Sequence, residues 1–272
     1  MYMFTNSSIS WCERKYTHSE YIAEYWNTTT GIFLCISAIY CMIKNYYENI
    51  YMLYKSNMLL FIVGVGTMLF HGTLIYFWQL CDEIPMLLIV IEYYKLITIH
   101  ISFINRVDIF CIDYELMYHM IPVIILSYYI YPSLQVIIFQ ATLNIFIVLL
   151  LYSLYKINKN LNRLFYEKYT FNLDNEYIIT LNDKCQSQSQ SKLLKSIESF
   201  KIYSKHKALL KRYNKRGICV LLFSLLIWNI DNHFCESAGY FQLHAIWHIT
   251  TSIGMYYSNE IIKTYILIDK YI

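Results

Sequence analysis

Residues 57–77, NMLLFIVGVGTMLFHGTLIYF, contain no Asp, Glu, Lys or Arg. About 20 such residues cross a bilayer as a helix. In lipid only a helix satisfies its own backbone hydrogen bonds within one segment. Six more long, largely apolar runs follow from the same reading, at about 22–43, 84–104, 115–132, 134–155, 217–234 and 240–266, the fourth and fifth spans being divided near Pro132. Only 15% of the 272 residues are charged and 57% are hydrophobic, whereas a soluble domain carries about 25% charged residues. Seven glycines and three prolines leave room for few long loops. The prediction is an all-α integral membrane protein, a seven-transmembrane helix bundle forming one domain over 1–272. The many Tyr, Ile, Asn and Lys residues read as a compositional bias of an AT-rich genome, so no single Tyr or Asn counts as a signal.

The polar stretch at about 156–216, with NDKCQSQSQSKLLKS inside it, interrupts the apolar pattern. Its composition offers no core to bury, which predicts a flexible cytosolic insertion. Orientation follows from Lys and Arg near the span ends. With the N-terminus outside, Lys44, Lys55, Arg106, Lys263 and Lys270 fall on the inner side and only Arg14 and Lys15 on the outer. The N-terminus is therefore expected to be lumenal or extracellular and the C-terminus cytosolic. The opening MYMFTNSSISW has no basic start, apolar core and small-residue cleavage site in sequence, so the first span is expected to direct insertion itself. A multi-pass location in the endoplasmic reticulum, Golgi or another endomembrane fits this plan.

Three histidines stand out against the apolar background. His71 lies about six residues before the outer end of the second span, about 9 Å deep at 1.5 Å per residue. His244 and His248, in FQLHAIWHIT, lie about 6–12 Å into the seventh span from the same side. Their i, i+4 spacing puts both imidazoles on one helix face. Two imidazoles from one helix and one from another make the three protein ligands of an open catalytic zinc site. Ionisable groups inside a membrane are costly and mark function; a lone one such as His100 more often packs structurally. Asp82 is expected to open the third span and face the same mouth, and Asp231 to end the sixth. Glu83 reads as a solvated interfacial group.

WCERKYTHSEYIAEYWNTTTG (11–31), GVGTMLFHGTLIYFWQLCDEIPM (64–86) and WNIDNHFCES with FQLHAIWHITTSIGMY (228–256) together resemble the alkaline ceramidases, seven-helix intramembrane zinc amidases of the adiponectin-receptor-like hydrolase superfamily. The resemblance covers most of the chain outside 156–216. It implies that His71, His244 and His248 ligate Zn2+ and that Asp82 works beside the metal on water. Where the family usually has serine this chain has Thr67, whose hydroxyl would help hold the developing oxyanion. The resemblance also implies a Ca2+ site at Ser10, Trp11 (through its carbonyl), Glu13, Lys15 and Glu24. Here Ser10 replaces an Asp and Lys15 an Asn, and calcium prefers several anionic oxygens. The alternative is that the Lys15 ammonium takes the cation's place between Glu13 and Glu24.

Cys12 and Cys235 both fall on the predicted outer face, where a lumenal disulfide between them is permitted. Asn6 in NSS is a glycosylation acceptor only if that end is lumenal. The function implied is hydrolysis of ceramide, or a close N-acyl sphingoid lipid, to a sphingoid base and a fatty acid, with membrane lipid as the surroundings. No nucleic acid and no obligate protein partner is indicated. The rival readings are a superfamily lipid-ester hydrolase that remodels phospholipids or glycolipid anchors, a seven-helix receptor with structural zinc, and, less consistent with polar residues clustered in one leaflet, a metal transporter.

Overall fold

The structure, a computed structural model, describes residues 6–9, 11–100, 113–182, 186–235 and 240–269. Among them the named elements are all helical. They are α1 (Tyr25–Thr30), α2 (Ile32–Tyr47), α3 (Tyr54–Thr73), α4 (Tyr76–His100), α5 (Tyr114–Ile130), α6 (Gln135–Asn182), α7 (Gln186–His233) and α8 (Leu243–Asp269), with short 3-10 turns at Tyr51–Leu53 and Pro132–Leu134. Among the described residues, three stretches are long and apolar enough to cross a membrane: Tyr25–Tyr47, Tyr51–Thr73 and Gln135–Leu161.

Packing follows the apolar pattern from both sides of each helix. Leu34 and Ala38 of α2, Leu60 and Val63 of α3, Leu87, Ile91 and Tyr94 of α4, Tyr128 of α5, Phe146 of α6 and Tyr265 of α8 meet in one buried cluster. The outer faces are apolar as well: Ile36, Ile43, Val123, Leu126, Ile137, Val148, Leu222 and Leu226 are all exposed. Exposed apolar surface on this scale needs a nonaqueous neighbour. Helix α3 packs between α2 and α4, α7 runs along α8, and α6 lies against α4.

Close helix approach depends on the GVG at 64–66. A Cβ on Gly64 would come within 2.8 Å of Cys35 N on α2, and one on Gly66 within 2.6 Å of Cys81 O on α4. Small residues of this kind let helix backbones meet where lipid offers no hydrophobic drive between helices. Pro85 lies inside α4. Its missing N–H frees the carbonyl of residue 81, four positions earlier, so α3 comes closest where the α4 ladder is interrupted.

At one end, α2, α3 and α8 are joined by a buried polar network. Asn45 Nδ2 donates to Asn259 Oδ1 (3.1 Å) and Asn259 Nδ2 to Asn57 Oδ1 (2.8 Å). Glu260 pairs with Lys44 at 2.9 Å and Lys263 at 2.6 Å, and Lys263 reaches Glu48 at 2.8 Å.

Two sequence expectations are corrected. The second and third runs were expected to be parted at 78–83, but the chain turns at Leu74, which takes the left-handed backbone (φ 52°). No glycine or proline announces that turn. It is held by Ser7 N donating to Leu74 O at 2.8 Å and by a bridge pairing Asn6 with Ile75. Helix α4 therefore begins at Tyr76, and Asp82 lies in its second turn and not at its start. The 156–216 stretch is also not an irregular loop. Helices α6 and α7 run on through it to Asn182 and from Gln186, and a helix keeps its backbone bonded within itself without a buried core. The side chains of Tyr203 and Leu210 within it are buried. The part of the third run at 101–104 lies outside the described residues.

Candidate metal centre

Helix α3 brings His71 and helix α8 brings His244 and His248 to one buried point. One ring nitrogen from each lies within 4.8 Å of the others. Ring centroids are 5.1 Å apart for His71–His244 and His71–His248, and 4.7 Å for His244–His248. The i, i+4 pair does sit on one face, and the distant third imidazole meets it at the same depth.

Hydrogen bonds decide which nitrogen of each ring is free. His71 Nδ1 lies 2.6 Å from Glu24 Oε2. The ring therefore donates from Nδ1 to the carboxylate and carries a lone pair on Nε2. His248 Nδ1 lies 3.0 Å from Thr30 Oγ1. The Thr30 hydroxyl already donates to Trp26 O at 2.7 Å, so it accepts from the ring, and His248 Nε2 is left with its lone pair. These two Nε2 atoms and His244 Nδ1 are buried and have no protein partner. Three unpartnered, buried imidazole nitrogens at this separation fit a divalent cation, because a buried polar atom without a partner is costly. His244 is further held by Trp11, whose ring stacks on it at 3.8 Å and 19°. Trp228 and Trp247 continue the aromatic wall.

Asp82 lies beside these rings. Its Oδ1 accepts from Thr67 Oγ1 at 2.5 Å. In this arrangement the Thr67 hydroxyl spends its only proton on the aspartate, so Thr67 orients Asp82, where the sequence reading had it as an oxyanion donor. Asp231 is buried at the end of α7, and its Oδ2 has no hydrogen-bond partner. A disulfide joins Cys12 to Cys235, 223 residues apart. Glu83, expected at a solvated interface, is buried, with Gln79 Nε2 at 2.8 Å and Gln135 Nε2 at 2.9 Å. The earlier start of α4 turns it inward.

The Lys15 alternative fails. Lys15 is exposed, and Glu13 and Glu24 are occupied by N–H donors in place of an ammonium. Glu13 accepts from the backbone amides of Trp26 (2.7 Å) and Asn27 (2.9 Å), at the start of α1. Burial pushes the Glu13 carboxyl above its usual range, and these two amides oppose the shift. Glu24 accepts from Trp11 N (3.0 Å), from Asn27 Nδ2 (3.0 Å) and from His71. Ser10 lies outside the described residues. With a lysine among the five positions and both carboxylates engaged, the donor set fits calcium poorly.

Sequence reasoning missed three roles: Glu24 as the group orienting His71, Thr30 as that orienting His248, and Trp11 as the ring under His244. Only Glu24, an acid at the edge of an apolar run, left any signal. A carboxylate behind a ligating histidine fixes the tautomer and raises basicity, and its loss typically lowers metal affinity about 10–100-fold. Glu24→Ala is expected to weaken metal binding by about that factor, measured by competition with a chromophoric chelator; unchanged affinity would remove Glu24 from the site.

Comparison with known proteins adds chemistry to this geometry. Residues 4–270 match the family model described as Ceramidase. The chain is 26% identical over 265 residues to mouse alkaline ceramidase 3, covering 93% of this chain and 81% of that protein. A shorter stretch of 88 residues is 46% identical to yeast alkaline ceramidase YPC1 (Saccharomyces cerevisiae), covering 30% of this chain and 27% of that one. Over 84 residues it is 38% identical to the alkaline ceramidase of Arabidopsis thaliana, covering 29% and 32%.

Proposed function

This chain belongs to the ceramidase family, hydrolases of the ceramide amide bond, and from that premise we propose that it is an intramembrane, zinc-dependent amidase cleaving ceramide to a sphingoid base and a fatty acid. The observation that carries the metal assignment is the trio of partnerless nitrogens on His71, His244 and His248. Three imidazoles with an open fourth position suit zinc. When bound there, the ion supplies Lewis acidity to a carbonyl and acidifies water.

The chain's own residues do the rest. Glu24 and Thr30 keep two imidazoles in the tautomer that offers Nε2 to the ion. Thr67 fixes Oδ1 of Asp82 and leaves Oδ2 to take a proton from the attacking water. Asp82 then returns that proton to the amine nitrogen as the C–N bond breaks. The aromatic wall of Trp11, Trp228 and Trp247 screens the site from bulk water. The acyl and sphingoid tails occupy the apolar space between helices. A seven-span arrangement with the histidines near the lumenal face, in an endomembrane, is supported by the apolar outer surface and by the Lys and Arg distribution. The Cys12–Cys235 disulfide supports the same orientation, since disulfides persist in oxidising compartments.

Purified protein offered ceramide and a diacyl phospholipid side by side is expected to release fatty acid and free sphingoid base from the first only. Preferential release of fatty acid from the phospholipid would replace the amidase reading with an ester hydrolase.

A further inference from the structure

The cavity beside His244 and Asp82 has a second polar wall that this chemistry leaves unused. It is a small cleft of about 70 Å³, and Trp228, Phe139 and Ile147 give it an apolar body. Gln140 and Asn144 also line it. They lie four apart on α6 and so share a face. They interrupt the most apolar of the three candidate spanning stretches, Gln135–Leu161, whose hydropathy reaches 2.2 over an 18-residue window. A polar side chain in such a span is expensive unless it meets a partner, which makes it a functional candidate. Gln140 Nε2 is shielded from solvent and has no hydrogen-bond partner. It is a buried donor aimed at nothing the protein provides.

Across the cavity, on α4, stands Glu83. Its two oxygens are held by Gln79 and Gln135, yet each keeps a second lone pair. Among the described residues that line the cavity there is no Lys or Arg, and the charged groups are Asp82 and Glu83. A headgroup here should therefore be uncharged and should both donate and accept hydrogen bonds. An anionic phosphate would meet two carboxylates and no cation.

Resting on the amidase reading above, we infer that Gln140, with Asn144 one turn further along α6, is a specificity-determining residue that binds the hydroxyl groups at the sphingoid end of the substrate. The Gln140 carboxamide donates to a hydroxyl oxygen, Glu83 accepts that hydroxyl's proton in a hydrogen bond, and the scissile amide is thereby set in register with Asp82 and His244. Asn144, exposed at the mouth on the lipid-facing side, makes the first polar contact for a headgroup arriving through the apolar surface.

The test compares initial rates of the purified full chain on ceramide and on two analogues, one lacking the C1 hydroxyl and one the C3 hydroxyl. Wild type is expected to prefer ceramide over at least one analogue by about 10-fold in kcat/KM, the size of a neutral hydrogen bond. Gln140→Leu is expected to abolish that preference. Its loss on ceramide should appear mainly in KM. Asn144→Leu, at a position that already faces lipid, provides the same comparison if the first variant does not fold. If both variants retain the wild-type ratio, the inference is overturned. If wild type cleaves none of the three lipids, the amidase reading falls, and this one with it.

Discussion

His71→Ala and His244→Ala are each expected to abolish metal binding and amide hydrolysis together. Each variant removes one of three nitrogens that meet within 4.8 Å, and the two imidazoles left cannot close a stable tetrahedral site. The loss should reach the background rate, because the Lewis acidity that polarises the amide disappears along with the ion. Metal content of the purified variant, measured by elemental mass spectrometry, and release of sphingoid base give separate readouts. Wild-type turnover in either variant would defeat the metal assignment. Retained metal with lost turnover would move the histidines from ligation to substrate contact. Folding is checked by the Cys12–Cys235 disulfide, which should still form in a correctly packed variant.

Asp82→Asn is expected to separate metal from chemistry. The amide is isosteric with the carboxylate and can still accept from Thr67 at the Oδ1 position, so the turn of α4 should persist. Proton transfer by a positioned side chain contributes about 10²–10⁴-fold, and the variant should lose activity in that range while keeping its metal. Full activity would reject Asp82 as the proton carrier. Loss of metal would show that it acts through the ligands. The Thr67→Ser form, which preserves the hydroxyl, should stay close to wild type if orientation of Asp82 is that residue's task.

The three histidines of the candidate metal centre were legible because their chemistry contradicts their surroundings. An imidazole in a run such as FQLHAIWHIT has few reasons to exist, and the i, i+4 rule turned two of them into a pair. Depth counting from span ends added His71. The supporting residues were hidden for the opposite reason. Thr30 is one of three consecutive threonines, and Trp11 looks like an interfacial aromatic; only the fold puts them against His248 and His244. The turn at Leu74 was invisible because an ordinary leucine adopts the left-handed region there under contacts from residues 6 and 7. That single shift of the start of α4 also explains why Glu83 was misplaced. The 156–216 stretch failed on composition: a Gln/Ser repeat reads as coil in isolation, but it is bracketed by helices already nucleated in the spans, and extension costs far less than nucleation. Asn144 was discounted with every other asparagine in a biased composition, and Gln140 was not singled out. Only a shared cavity and a donor without an acceptor set them apart.

The N-terminal segment before α1 has a consequence for biogenesis. Trp11 lies under one ligating ring, Glu24 behind another, and Cys12 is tied to Cys235. These residues leave the ribosome well before those of α8, more than 200 positions later in the chain. The segment that packs against the candidate metal centre is thus translated first and meets its α8 partners only after that helix has been made. A chain held under reducing conditions would keep the hydrogen bonds of this segment to α1 and His71 but lose its covalent tie to residue 235.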